Sequence, residues 1–341
     1  MASYLEGRTQ TVFCGDLRSE SGEVTSGVPQ GSVFGPFLFC CHVNDLPSVL
    51  KHCSVQMYAD DVQLYVGRFG PCARDLVNMM NEDLARIHEW SQRNKLLVNQ
   101  EKSKALFVKG RRRNAAPVGS LPSILMDDQR IAWTESANNL GFLFQADLQW
   151  DGLVNQQCGK IYAGLRTLYS STRDAPTETR LKLFKALLLP HLLFGDLLYV
   201  NPSASAMNRL RVALNSCVRF VYDLNRYAHV SHLQKSLVGC SLDCLFAHRS
   251  CVFLRKLIST QSPPSLFQKL VPFRGRRRQN LLLPPNNTVT YTNSLFVRGM
   301  VNWNMLPADL KRTPMDAIFK KGWTRNFLRL IILPNFLLQV A

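Results

Sequence analysis

Acidic residues are scarce in this sequence: 24 Asp and Glu stand against 41 Lys and Arg, for a formal net charge of +17. That deficit leaves the balance expected of a protein that neutralises phosphates or anionic surfaces, with a basic protein of no special partner as the plain alternative. A secretory leader is absent from the opening residues, which are polar and carry Glu6 and Arg8. Ten cysteines are scattered without a framework, and the expectation is a reduced, intracellular chain, nuclear or cytoplasmic. Uninterrupted apolar runs are lacking too. The stretch 183–200 is broken by Lys185, Pro190, His191 and Asp196, and 327–341 is short and holds Arg329 and Pro334. Both read as core helices, and no membrane partner is expected. There is no internal repeat. What is present is 46% hydrophobic residues over 341 positions, enough for about two domains and too much for a disordered tail.

Short apolar segments, glycines and turn signals fill residues 1–150 and read as mixed α/β. One amphipathic helix runs through Leu76, Met79, Met80, Leu84, Ile87 and Trp90 at spacings of threes and fours. From Gln156 onward the apolar spacing is helical, as in Ile161, Leu165 and Leu168 and again in Leu181, Phe184, Leu187 and Leu188. Basic loops interrupt at Lys109–Arg113 and Arg274–Arg278.

The run from Val24 to Leu46 begins with Gly27, Pro29 and Gly31 and becomes apolar on every side from Phe34 to Val43. It reads as a tight loop entering a buried helix, with Ser32 as a cap and Pro36 in the first turn, where no amide donor is needed. A loop without bulky side chains admits another backbone, a nucleic-acid strand or a base; an ordinary turn before a helix has the same composition.

From Val55 to Val66 apolar residues alternate around Ala59, Asp60 and Asp61, the pattern of two strands joined by a tight turn. Adjacent carboxylates at an apolar tip repel each other unless a cation neutralises them. Mg²⁺ takes oxygen ligands, often one or two carboxylates plus substrate phosphates, and suits phosphoryl transfer. A solvated turn is the competing reading, since Asp is a favoured turn residue.

In order, the loop GVPQGSVFGP, the following VNDLP and then YADD resemble the palm of non-LTR retrotransposon reverse transcriptases, the LINE-like, jockey-type kind. Further stretches are similar to the same family: Tyr4–Gln10 before the loop, Trp90 to Ser103 after the hairpin, and Leu140 to Trp150 as a primer-grip region. Cys217–Phe220, Arg249, Trp303–Asn304 and Leu306–Pro307 resemble its helical C-terminal region. The resemblance implies an α+β fold: a partial palm over 1–150, of antiparallel sheet with helices, then a mostly helical thumb-like and C-terminal region over 151–341. It implies Asp60 as a metal ligand, Asp61 as its companion, Tyr58 beside the primer terminus, and Gln30 and Gly31 along the template and incoming nucleotide. Lys102 matches a lysine that assists the departing pyrophosphate, or is a solvated charge at a helix end. The implied cofactor is Mg²⁺, with Mn²⁺ able to substitute, and the implied partners are an RNA template, a DNA primer and dNTPs.

The family carries a further aspartate on a strand upstream of the Tyr4–Gln10 segment. None of Glu6, Asp16, Glu20 or Glu23 lies in such a context. The expectation is an N-terminally truncated domain without fingers or first palm strand, and weak or absent catalysis by this chain alone. A nucleic-acid-binding remnant without chemistry and an unstable remnant with exposed apolar surface are the other two readings. Cys240, Cys244, His248 and Cys251 have spacings like metal ligands, but Leu242, Leu245, Phe246, Val252 and Leu254 interleave at helical spacing, which favours a packed helix. The basic runs read as solvated loops or as nuclear-targeting or RNA-contacting patches. Asp127–Asp128 reads as a plain turn.

Overall fold

Turn chemistry and helical periodicity build two units, Met1–Glu135 and Ser136–Ala341, in a computed structural model that describes residues 2–67, 72–108, 121–199, 202–272, 280–285 and 289–312. Both basic runs and the apolar stretch 327–341 lie outside the described residues.

The first unit opens with α1 (Ala2–Leu5) and four short strands: β1 (Thr9–Gln10) pairs with β4 (Gly22–Glu23), enclosing the hairpin of β2 (Phe13–Cys14) and β3 (Leu17–Arg18). Next come α2 (Gly35–Val43), the hairpin of β5 (Ser54–Tyr58) and β6 (Asp61–Tyr65), and the 21-residue α3 (Ala73–Arg93). Beyond it, β7 (Ala105–Leu106) runs parallel to β10 (Trp133–Thr134), and β8 (Ile124–Met126) forms a hairpin with β9 (Gln129–Ile131). The strands form separate two-stranded ribbons, so their geometry depends on what they pack against. That support is α3. Its residues Val77, Leu84 and Ile87 are buried with Ile124, Met126 and Ile131, and Trp90 is buried with Val43 and Leu46. The stripe follows the expected spacing, except that Val77 is buried where Leu76 is only half-buried.

α2 departs from expectation. Only Gly35 and Val43 are buried in it, and Val33, Phe34 and Phe37 are exposed at 91%, 53% and 58%. Apolar residues on every side of a helix demand cover on every side, and the first unit supplies it along one edge, where Val43, Leu46 and Trp90 meet. Ser32 does accept from the first helical N–H, that of Gly35, at 3.0 Å, although the cap position itself is Phe34.

The second unit begins with the hairpin of β11 (Ser136–Asn139) and β12 (Phe142–Gln145), turned by Leu140 and Gly141. This hairpin falls with the helices, upstream of the expected boundary at 150, because β12 is tied to the next helix. Gln145 accepts from the Gly152 N–H at 2.8 Å, and Phe144 lies edge-on to Trp150 at 5.7 Å. The helices are α4 (Asp151–Ser171), α5 (Thr177–Leu183), α6 (Leu189–Leu192), α7 (Ala204–Tyr222), α8 (Gln234–Val238), α9 (Leu242–Thr260), α10 (Pro264–Phe267), α11 (Val289–Thr292), α12 (Met300–Asn304) and α13 (Ala308–Arg312). Ile161, Leu165, Leu168, Phe184 and Leu188 enter the main core as their spacing implies, while Leu187 is half exposed. Cys244 and Cys251 are buried on α9 among Leu254, Leu257, Met300 and Trp303, the packed arrangement that the interleaved leucines indicate. Motifs late in the chain also serve packing: Asn304 exchanges two 2.8 Å hydrogen bonds with the Leu281 backbone, and Arg249 pairs with the buried Asp196.

Candidate active-site hairpin and its supports

Alternation around the acidic pair sorts the β5–β6 ribbon into two faces. Val55 opposite Leu64 and Met57 opposite Val62 form one face; Gln56 opposite Gln63 and Tyr58 opposite Asp61 form the other. Val55 and Met57 pack toward Trp90 and Leu46, and Leu64 toward the α3 core. Tyr58, Asp60 and Asp61 are left exposed at the outer end, Tyr58 at 68%. The turn consists of Ala59 and Asp60 alone, and Ala59 holds φ 52°, a left-handed conformation that crowds its Cβ against the following carbonyl. Replacing Ala59 with Gly should therefore stabilise the first unit by about 0.5–1 kcal/mol, read as a higher urea midpoint. An unchanged or lower midpoint would show that the turn carries no such strain.

The other acidic pair, Asp127–Asp128, forms a plain turn. Both residues sit at positive φ between β8 and β9, and Asp127 faces His88 at 3.3 Å. Asp60 and Asp61 form no ion pair among the described residues.

The glycine loop is braced by the segment before it. The Tyr4 hydroxyl donates to Ser32 Oγ at 2.5 Å, its ring lies edge-on to Phe34, and Arg8 donates to the Gly27 carbonyl at 2.8 Å. Gly27 and Gly31 stand at φ 75° and 77°, a region that side chains disfavour, and no atom lies near where a Cβ of Gly31 would be. Gln30 and Gly31 thus form an open turn immediately before α2. Lys102 sits in a turn after α3, where its N–H donates to Asn99 at 3.0 Å. The structure joins Tyr58 to Asp61 across one register position and Gln30 to Gly31 in one loop; among the described residues it records no hydrogen bond or ion pair linking these to each other or to Lys102.

Two supporting carboxylates escape a reading of the sequence. Asp45 accepts from the Trp90 indole N–H at 3.1 Å, which fixes the end of α2 on α3. Asp83 is fully buried and accepts from the backbone N–H groups of Lys51, His52 and Cys53 at 3.0, 2.8 and 2.7 Å, and from Arg86 at 2.6 Å. It holds the strand entry of β5 against α3. Burial alone would raise the Asp83 pKa, but the three amides and Arg86 outweigh it and lower it to about 2. Burial and the neighbouring Asp83 charge push the Cys53 thiol up to about 12, so it stays protonated and unreactive.

Two adjacent, exposed carboxylates supply hard oxygen donors of the kind Mg²⁺ takes when substrate phosphates complete its shell. Among the described residues no group of three His, Cys, Asp or Glu side chains gathers at one point, so the hairpin by itself offers a partial ligand set.

Comparison with known proteins gives these residues a setting. Residues 3–144 match the family described as reverse transcriptase (RNA-dependent DNA polymerase). The chain is 26% identical over 245 residues to the probable RNA-directed DNA polymerase from transposon X-element of Drosophila melanogaster, covering 70% of this chain and 26% of that protein. It is 22% identical over 245 residues to the RNA-directed DNA polymerase from mobile element jockey of the same organism, covering 69% of this chain and 26% of that protein. It is 24% identical over 243 residues to the retrovirus-related Pol polyprotein from type-1 retrotransposable element R1 of Nasonia vitripennis, covering 64% of this chain and 67% of that protein. The chain thus spans about a quarter of the length of the first two relatives. No solved structure matches it.

Proposed function

We propose that residues 3–144, which match the reverse transcriptase family, form a domain related to the RNA-directed DNA polymerases of non-LTR retrotransposons, and that the outer end of the β5–β6 hairpin is its catalytic edge. The observation that carries this reading is the register: Tyr58 directly faces Asp61 across the last pair, with Asp60 in the turn beside them, all exposed on one end of a braced ribbon. Asp60 and Asp61 hold a divalent metal, Mg²⁺ or Mn²⁺. Such an ion, when bound, neutralises charge on the attacking and leaving oxygens of phosphoryl transfer. Tyr58 lies beside the 3′ end of a DNA primer, and Gln30 and Gly31 border the RNA template and the incoming dNTP, where the open turn allows close approach of a backbone. Lys102 contributes positive charge for the departing pyrophosphate. The excess of basic residues suits a chain that must hold two phosphate backbones.

The test is Mn²⁺ binding to the full chain, followed by its paramagnetic relaxation, together with primer extension on an RNA template by a polymerase containing this domain. Asp60→Asn/Asp61→Asn should remove the bound Mn²⁺. Loss of several kcal/mol of charge stabilisation should lower extension by at least about a hundredfold in Asp60→Asn. Undiminished Mn²⁺ binding in the double variant would remove the hairpin from the metal site.

A further inference from the structure

The second unit carries a groove that the proposed chemistry does not use. It lies between α4 and α7, encloses about 530 Å³, and is lined by Tyr162, Arg166 and Tyr169 from α4 and by Ser216 and Arg219 from α7, with Arg226 closing its end. The α4 residues recur at four and three positions, so they share one face, with the tyrosines about 10 Å apart along the axis. Both rings are part-exposed, Tyr162 at 43% and Tyr169 at 48%. Tyr169 is set by an edge-on contact with Phe220 at 5.2 Å. Past α7, Asp223 turns the chain in the left-handed conformation, φ 54°, and brings Arg226 to the groove, its guanidinium 5.0 Å over the Tyr227 ring. Arg219 is anchored through the Ala228 carbonyl at 2.9 Å. Three guanidinium groups therefore face a lining that contains no carboxylate, and the nearby Asp223 carboxylate is already held by Arg180 at 2.6 Å.

We propose that this groove binds a single-stranded stretch of nucleic acid, with unpaired bases stacking on Tyr162 and Tyr169 and phosphates meeting Arg166, Arg219 and Arg226. The volume suits a group the size of a nucleotide or two. Aromatic rings interleaved with arginines form the stacking platform and charged track that single strands require, whereas bases inside a duplex keep their faces hidden. The site lies outside residues 3–144 and is independent of the hairpin.

The experiment is fluorescence anisotropy of a labelled single-stranded 15-mer RNA titrated with the full chain, in EDTA and without dNTPs, so that failure of the polymerase reading leaves it unaffected. Tyr162→Ala/Tyr169→Ala should weaken binding by at least about tenfold, and Tyr162→Phe/Tyr169→Phe, which keeps both rings, should restore it. Arg166→Ala/Arg226→Ala should flatten the dependence of log affinity on log salt by about 0.7 per arginine. Lys182→Ala, a charge loss elsewhere in the same unit, should change neither quantity. Should the alanine pair lower the thermal midpoint through lost contact with Phe220, the exposed arginine pair still decides the matter. The same strand made of DNA shows whether the site prefers ribose or takes either sugar, and binding of either kind supports it. Wild-type affinity in both double variants, equal competition by a blunt duplex, or equal displacement by polyglutamate would overturn the proposal.

Discussion

Asp83→Ala should destabilise the first unit by about 3–5 kcal/mol, the largest single loss expected there. The substitution strips the acceptor from three backbone N–H groups at residues 51–53 and leaves Arg86 without its closer partner. Each buried donor left unmade costs about 1–3 kcal/mol, a large share of the roughly 5–15 kcal/mol that holds a domain together. Urea unfolding should show the loss directly, and Asp83→Asn, which keeps one acceptor oxygen, should lie between alanine and wild type. A midpoint unchanged by Asp83→Ala would mean that residues 51–53 find other partners. The same carboxylate makes stability depend on pH. Its pKa is lowered from 3.8 to about 2 in the folded protein, so the ionised form favours the fold above about pH 4. That stabilisation, about 2 kcal/mol, is lost as pH falls through about 2. In Asp83→Asn this part of the acid dependence should vanish.

Arg180→Met should cost the second unit a comparable 3–5 kcal/mol and lower its melting temperature by roughly 10 °C, followed by helical circular dichroism. Arg180 is 5% exposed and uses four of its five guanidinium N–H groups: it donates to the carbonyls of Ala175, Phe220 and Arg173 at 3.0, 3.0 and 2.8 Å and to Asp223 at 2.6 Å. One side chain therefore clasps the turn before α5 to the C-terminal end of α7, where a cation also answers the helix dipole. Lysine should not rescue the loss, because a single ammonium cannot reach four acceptors set around a planar fork. A variant melting within a degree or two of wild type would show that water replaces these bonds at little cost.

Neither Asp83 nor Arg180 is legible in the sequence, and for the same reason. A charged residue on a helix reads as surface, and only tertiary structure shows that Asp83 caps the backbone of residues 51–53 and that Arg180 reaches the end of α7. Periodicity carried much more. The α3 stripe and the β5–β6 alternation follow from residue order alone, because burial of one face repeats every three to four or every two positions. The exposure of Phe37 on α2 could not be read that way: apolar residues all round a helix indicate a need for cover without saying where it comes from. Joint order of the glycine loop and the acidic hairpin pointed to the family, while the physical link between Tyr4, Arg8 and that loop emerged only as hydrogen bonds. The α4 groove was hidden because Tyr162 and Tyr169 each directly follow a core position, Ile161 and Leu168, so their shared face lies in the shadow of the buried stripe.

The ribbons also have a bearing on time. Four of them, β2–β3, β5–β6, β8–β9 and β11–β12, close through two residues each, so their pairing demands almost no search through chain conformations. Such hairpins form in about 1–10 μs, far sooner than distant helices find one another. The alignment of Tyr58 with Asp61 therefore closes over a short length of chain, and the apolar stripe of α3 supplies the packing that an isolated two-stranded ribbon lacks.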